Sequence, residues 1–344
     1  PKMPLLFFMP EAGVQPLYLR AAFAAKTLQQ LGHEVMVVRC FDLYRQCAVK
    51  ASSSLTKGSK SRSDDTCLRC ADYASRVLDY YDLQSLDLRS FLTPEISRVV
   101  EEQVANLPDD LLTYSYESIQ WGKLAASNIA LRRKVSDLST IQRVHNQLWR
   151  EHIREDLQTF LLSRQLMKET EAKSWIYFCN YSMHRATKIA AVSQNIPVYW
   201  LTWPGHKDVD FQRFNVYREP TLHAQNEIRN NWDQWRDVPL SADRICDISD
   251  DLIGRLTGSG TYGYSPAKTQ GGAAAVLEQL QFKTEKKTIV AYTSSLDEHL
   301  GAKLAYEAQQ DDLPLGVHQP FKDQIDWLGR LVDHCKNRDD LQLV

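Results

Sequence analysis

Short runs of apolar residues alternate with longer stretches of helical periodicity through the first 200 residues. Leu5-Leu6-Phe7-Phe8-Met9 is a five-residue apolar run bounded by prolines, the pattern of a strand buried on both faces. Pro10 to Val14 reads as a loop, Leu17 to Leu31 as a helix rich in Ala, Leu and Gln, and Gly32 as its terminator. Glu34 to Arg39 is the next strand, centred on Val35-Met36-Val37-Val38. Strand, loop, helix, glycine and strand in that order open a parallel, Rossmann-like sheet with a right-handed crossover.

The alternation then pauses. Residues 50–65 are polar, heavy in Ser and Lys, and read as a surface loop. Ala71 to Tyr81 and Glu95 to Ala105 are helical, the second with Pro94 at its first turn. Residues 118–170 are almost wholly helical. The stripe Trp149, Ile153, Leu157, Phe160 and Leu161 marks a core-facing side. Trp175 to Cys179 is a third strand, Asn180 to His184 a loop, Arg185 to Gln194 a helix, and Ile196 to Leu201 a fourth strand ending in the loop Pro204-Gly205-His206.

Residues 241–286 hold Gly258, Gly260, Gly263, Gly271 and Gly272 and read as a connection, helical near Ala273 to Leu280. Thr288 to Thr293 begins a new strand, Ser294 to Glu298 is its loop, Phe321 to Cys335 a helix, and Leu341 to Val344 a further strand. The expected organisation is a lobe over 1–240, a connection over 241–286 and a second lobe over 287–344. That last span of roughly 58 residues is marginal for a core of its own. The chain therefore reads as a fragment whose second lobe is incomplete.

Composition narrows the class. The chain has 344 residues, 43% hydrophobic and 24% charged, which are ordinary globular values. A formal net charge of −2 gives no basic footprint for nucleic acid. No apolar run reaches the roughly 18 residues of a membrane span, and the short apolar start followed by Glu11 is not a signal peptide. The expected compartment is the cytoplasm, where the seven cysteines stay reduced.

Loops at the carboxyl ends of parallel strands are where open α/β sheets bind ligands. Those loops supply the candidates. Glu11 is the first choice for general base and His184 the second, since a carboxylate or imidazole in a closed cleft can be tuned toward the working pH. A helix cap is the alternative for Glu11, and a backbone hydrogen bond for His184. Gly13, Asn180, Tyr181 and His206 are candidates for acceptor binding. Thr293, Ser294 and Ser295 could donate hydroxyl and backbone N–H groups to a phosphate, with a plain polar loop as the alternative. No Walker A motif is present.

Cys40, Cys47, Cys67 and Cys70 fall within one short region, the last two as a C-x-x-C. Two pairs of soft ligands fit a four-thiolate zinc site or an iron–sulfur cluster, with unligated thiols as the alternative. A redox pair is disfavoured because no strand directly precedes the C-x-x-C.

Several segments carry a family resemblance. They are Phe8-Met9-Pro10-Glu11-Ala12-Gly13-Val14-Gln15-Pro16, Val38-Arg39-Cys40-Phe41-Asp42, the C-x-x-C, and Leu86-Asp87-Leu88-Arg89. Near the other end are Pro320-Phe321-Lys322, Asp326-Trp327-Leu328 and Asp339-Asp340-Leu341-Gln342-Leu343-Val344. Together they resemble the bacterial capsule and surface polysaccharide glycosyltransferases. The resemblance covers both ends, and the middle matches in strand–helix order alone. It implies a GT-B-like α/β fold with two Rossmann-like lobes, the second incomplete, and transfer of a sugar from a nucleotide-sugar donor to a glycan or lipid-linked glycan. It implies no metal for the chemistry, a structural role for any cysteine-bound metal, and peripheral association with the inner membrane face. The family's basic His-Pro loop, which follows the strand at residue 344, does not occur in this sequence. A non-catalytic carbohydrate- or partner-binding scaffold and a nucleotide-sugar epimerase of the same fold remain the alternatives.

Overall fold

A computed structural model describes residues 4–47, 49–50, 63–179, 182–202, 214–218, 232–256, 277–278, 280–291, 293, 295–309 and 321–344. Asn180, Tyr181, His206 and Ser294 lie outside the described residues, as do most of the polar stretch 50–65 and the glycine-rich stretch 257–276. Two compact units are present. The first comprises residues 1–202, 214–224 and 296–312, and the second residues 203–213, 225–295 and 313–344.

The first unit is a mixed α/β domain. Its elements in order are β1 (Leu5–Phe8), α1 (Gln15–Gln30), β2 (Val35–Arg39), α2 (Ser63–Tyr81), β3 (Gln84–Asp87), α3 (Pro94–Ala105), α4 (Trp121–Arg133), α5 (Leu138–Val144), α6 (Asn146–Glu169), β4 (Ser174–Tyr177), α7 (Ser182–Ser193), β5 (Val198–Thr202) and β6 (Asn215–Arg218). The six strands form one sheet in the order β3-β2-β1-β4-β5-β6. All neighbours pair in parallel except β5 and β6, which are antiparallel.

Strand alternation divides the core. Leu6, Phe8, Val38, Trp175 and Tyr177 point to one face and meet the buried sides of α4, α6 and α7. Phe7, Met9, Val35, Val37, Ile176 and Phe178 point to the other and meet α1 and α2. Being covered on both faces is why β1 and β2 read as continuous apolar runs. Gly32 takes φ +90° after α1, a conformation that side chains rarely adopt. The Thr93 hydroxyl accepts from the Ile96 amide at 3.2 Å and caps α3.

Two strands carry no such signal. The edge strand β3 is Gln-Ser-Leu-Asp with an exposed first half, and β6 is exposed over most of its length. Their backbones are held by pairing to β2 and β5, so they need no apolar run of their own.

The second unit contains α8 (Trp232–Trp235), α9 (Ala242–Leu256), β7 (Lys287–Ile289), α11 (Gln324–Lys336) and β8 (Leu341–Leu343). Strands β7 and β8 pair in parallel as a two-stranded sheet. The Asp323 carboxylate accepts from the Asp326 amide at 2.8 Å and caps α11. The remaining helix, α10 (Leu296–Ala308), belongs to the first unit, not with the strand before it as the span 287–344 had grouped them. It lies along α4: a Cβ on Gly301 would come within 2.7 Å of the Leu131 side chain. Lys123–Glu307 at 2.9 Å and Lys134–Asp297 at 3.1 Å pair the same two helices.

Candidate functional site

In the sheet order the chain leaves β1 toward β2 and β3 on one side, and takes up β4, β5 and β6 on the other. The β1/β4 boundary is thus the switch point, where loops diverge and open a crevice at the carboxyl ends of the strands. Glu11 follows β1 and His184 begins the second half-turn of α7 after β4. Both side chains are buried there, Glu11 9% and His184 3% exposed.

They meet. His184 Nε2 is 3.5 Å from Glu11 Oε2, a close approach longer than a formed hydrogen bond. The His184 ring packs edge-on against Phe8, with centroids 5.0 Å apart, and neither of its nitrogens has a hydrogen-bond partner among the described residues. Arg132 of α4 places Nη2 3.9 Å from the other Glu11 oxygen, while its Nη1 donates to the Gln46 carbonyl. Cys179, just past β4, brings its sulfur into the same group. One ligand atom each from Glu11, Cys179 and His184 lie within 4.8 Å of one another.

Glu11, Cys179 and His184 line an open pocket with about 310 Å³ of empty space, whose apolar sides are Phe8, Phe178 and Tyr18. Tyr18 is 3% exposed, and its hydroxyl has no hydrogen-bond partner among the described residues. Burial pushes the phenol's pKa well up, so it stays a neutral donor at ordinary pH.

Behind Arg132 lies His152, buried on α6, whose Nδ1 faces the Asn128 amide at 3.2 Å. Burial first, then the positive charges of Arg132 and Arg133, pushes its pKa down to about 3. The unfolded chain takes up this proton near pH 6.5, whereas the folded chain resists until about pH 3. Stability from this group is therefore full above about pH 6.5 and falls with decreasing pH, by roughly 1.4 kcal/mol per pH unit within that window. Urea unfolding between pH 4.5 and 7 should show the slope, and His152→Gln should flatten it. An equal slope in the variant would remove His152 as its source.

Of the other candidates, Gly13 is exposed and serves a close approach: its amide donates to Cys70 Sγ at 3.3 Å, and an added Cβ would come within 2.3 Å of Val49 Cγ1. Thr293 and Ser295 are exposed residues of the second unit. In α10, Asp297 and Glu298 occupy the first turn, the place that a phosphate at that helix end would take.

The four cysteines do share a pocket, with about 490 Å³ of empty space, but do not form a four-thiolate site. Among the described residues, Glu11, Cys179 and His184 are the group whose ligand atoms come together, and the four cysteines are not. The reason is that each sulfur is turned to a separate partner. Cys40 donates to the Pro10 carbonyl at 3.3 Å and Cys67 to Asp42 Oδ1 at 2.9 Å, while Cys47 accepts from the Lys50 amide and Cys70 from that of Gly13, each at 3.3 Å. Burial raises the pKa of all four, Cys67 to about 12.

Cys179, Tyr18 and Arg132 were not among the expected site residues. Cys179 ends the same strand that put Asn180 on the candidate list, so its position was a usable signal. Arg132 arrives from a helix 121 residues after Glu11, which no spacing reveals.

No family model matches the chain, and no curated protein does. Among solved structures, a CDPS from Fluoribacter dumoffii is similar at a TM-score of 0.38 with 9% identity, over 63% of this chain and 92% of that one. A likeness at that level carries no functional argument. No described helix is long and apolar enough to cross a membrane.

Proposed function

We propose that this chain is a group-transfer enzyme whose first unit holds the acid–base site, with Glu11 as general base and His184 as its proton partner. The observation that carries this reading is the burial of Glu11 against His184 at the switch point of the sheet, 3.5 Å apart. Neither nitrogen of the buried His184 imidazole has a hydrogen-bond partner among the described residues. Buried polar groups normally find partners, and a polar substrate in the pocket would supply them.

Within that class, the transferred group is taken to be a glycosyl unit from a nucleotide sugar, and the acceptor a hydroxyl of a glycan or lipid-linked glycan. The support is the resemblance of both chain ends to capsule and surface polysaccharide glycosyltransferases, together with a sheet whose switch point suits a nucleotide-bearing ligand. Glu11 takes the acceptor's hydroxyl proton as its oxygen attacks the anomeric carbon, and the nucleotide phosphate leaves with the bonding pair. A two-lobed GT-B architecture, donor contacts from Thr293 and Ser295, a cytoplasmic location and peripheral association with the inner membrane face all belong to this proposal. So does chemistry without a required metal.

The test is calorimetric titration of the chain with a panel of nucleotide sugars, followed by product analysis with the donor that binds. Saturable binding of one donor and a glycosylated product are expected. A panel without any binder would remove the glycosyl donor. The acid–base pair is tested separately by substitution of Glu11.

A further inference from the structure

We propose that Glu11, Cys179 and His184 form a zinc site. Their ligand atoms, one oxygen, one sulfur and one nitrogen, lie within 4.8 Å of one another, with Glu11 Oε2 and His184 Nε2 at 3.5 Å. Tetrahedral zinc with bonds of about 2.0–2.3 Å holds neighbouring ligand atoms roughly 3.3–3.8 Å apart. The carboxylate–imidazole pair is already at that separation, and a contraction of at most about 1.5 Å closes the group.

The donor set selects the ion. Thiolate, imidazole and carboxylate together suit zinc, whereas magnesium and calcium call for oxygen throughout. The second, independent observation is the His184 ring. It is 3% exposed, and neither nitrogen has a hydrogen-bond partner among the described residues, though one points at the Glu11 carboxylate. A metal ion would employ that lone pair. Arg132, 3.9 Å from the carboxylate's other oxygen, orients Glu11 from behind, as outer-shell partners of metal ligands do. Three protein ligands leave the fourth position to the pocket, where water or a substrate oxygen fits. On binding, the Cys179 thiol gives up its proton to solvent and the sulfur donates its pair to the ion.

The site stands on geometry alone. Its consequence for activity rests on the general-base reading. A Glu11 oxygen bound to zinc cannot take a substrate proton, so zinc would hold that chemistry off and a chelator would restore it.

Cobalt(II), a spectroscopic stand-in for zinc, tests the site in the whole chain. Metal-free protein titrated with cobalt should develop a stoichiometric thiolate-to-metal absorption band that zinc then abolishes. Cys179→Ser, similar in shape, should lose the band and weaken zinc binding by about 100-fold or more, at least the scale of losing an outer-shell partner. His184→Asn should weaken it likewise, with far-UV circular dichroism confirming that both variants fold. The triple variant Cys40→Ser/Cys67→Ser/Cys70→Ser should keep the band. A wild-type chain without a thiolate band, or a band that survives Cys179→Ser, overturns the proposal. A band that forms normally while zinc leaves turnover unchanged would instead count against Glu11 as the base and leave the site in place.

Discussion

Glu11→Gln is expected to fold normally, bind donor as before, and turn over roughly 100-fold or more slowly, the usual scale for losing a general base. Glutamine keeps the shape of a side chain that is packed into a pocket wall and 9% exposed, so the change removes proton affinity without opening a cavity. Arg132 keeps its bond to the Gln46 carbonyl, which limits the structural cost of losing the charge opposite it. The kinetic signature separates a base from a mere contact. Loss of the base lowers kcat and removes the acidic limb of the pH–rate profile, while loss of a contact raises KM. Near-normal kcat with raised KM would leave Glu11 as a substrate contact.

Gly122→Ala should cost about 3 kcal/mol or more of the first unit's stability, at the upper end of what overpacking does. Gly122 sits in α4, where nine of the ten positions from Trp121 to Ala130 are buried and Lys123 is the exception. A Cβ there would lie 1.8 Å from the Leu111 carbonyl oxygen and 2.8 Å from its carbon, both backbone atoms that no side-chain rotation can move away. The same glycine donates its amide to the Tyr114 carbonyl at 3.1 Å and accepts the Trp149 indole N–H at 2.8 Å, so it is held on two further sides. Gly329 of α11 is the control: nothing lies within 4 Å of its missing Cβ. Alanine there should be neutral or stabilise the helix by up to about 1 kcal/mol. Urea midpoints, read for the transition of each unit, compare the two. An unchanged midpoint for Gly122→Ala would mean that the 111–114 turn yields freely.

Legibility followed burial. The runs at Leu5–Met9 and Val35–Arg39 announced their strands because both faces of each are covered, which leaves no polar position to blur the pattern. The strand at Gln84–Asp87 did not, because an edge strand held by β2 needs no apolar side chains. Helix α10 hid for a different reason. Its role is to lie against α4, and Gly301 marks that contact only once Leu131 is known to face it.

The candidate site divides the same way. Glu11 and His184 were nameable from order alone, since parallel strands end on one edge and the loops that follow share it. Local pattern by itself thus determined an α/β chain, its main strands and the loops that carry chemistry. Pairing within a loop cluster depends on where distant helices bring their side chains, and that the tertiary structure alone decided. It turned Cys40, Cys47, Cys67 and Cys70 to separate hydrogen bonds despite their close spacing, with Cys67 and Cys70 on α2 and Cys40 and Cys47 in the segment after β2. It set Cys179 and Arg132 around one carboxylate, because three-dimensional packing juxtaposes residues that no sequence interval relates.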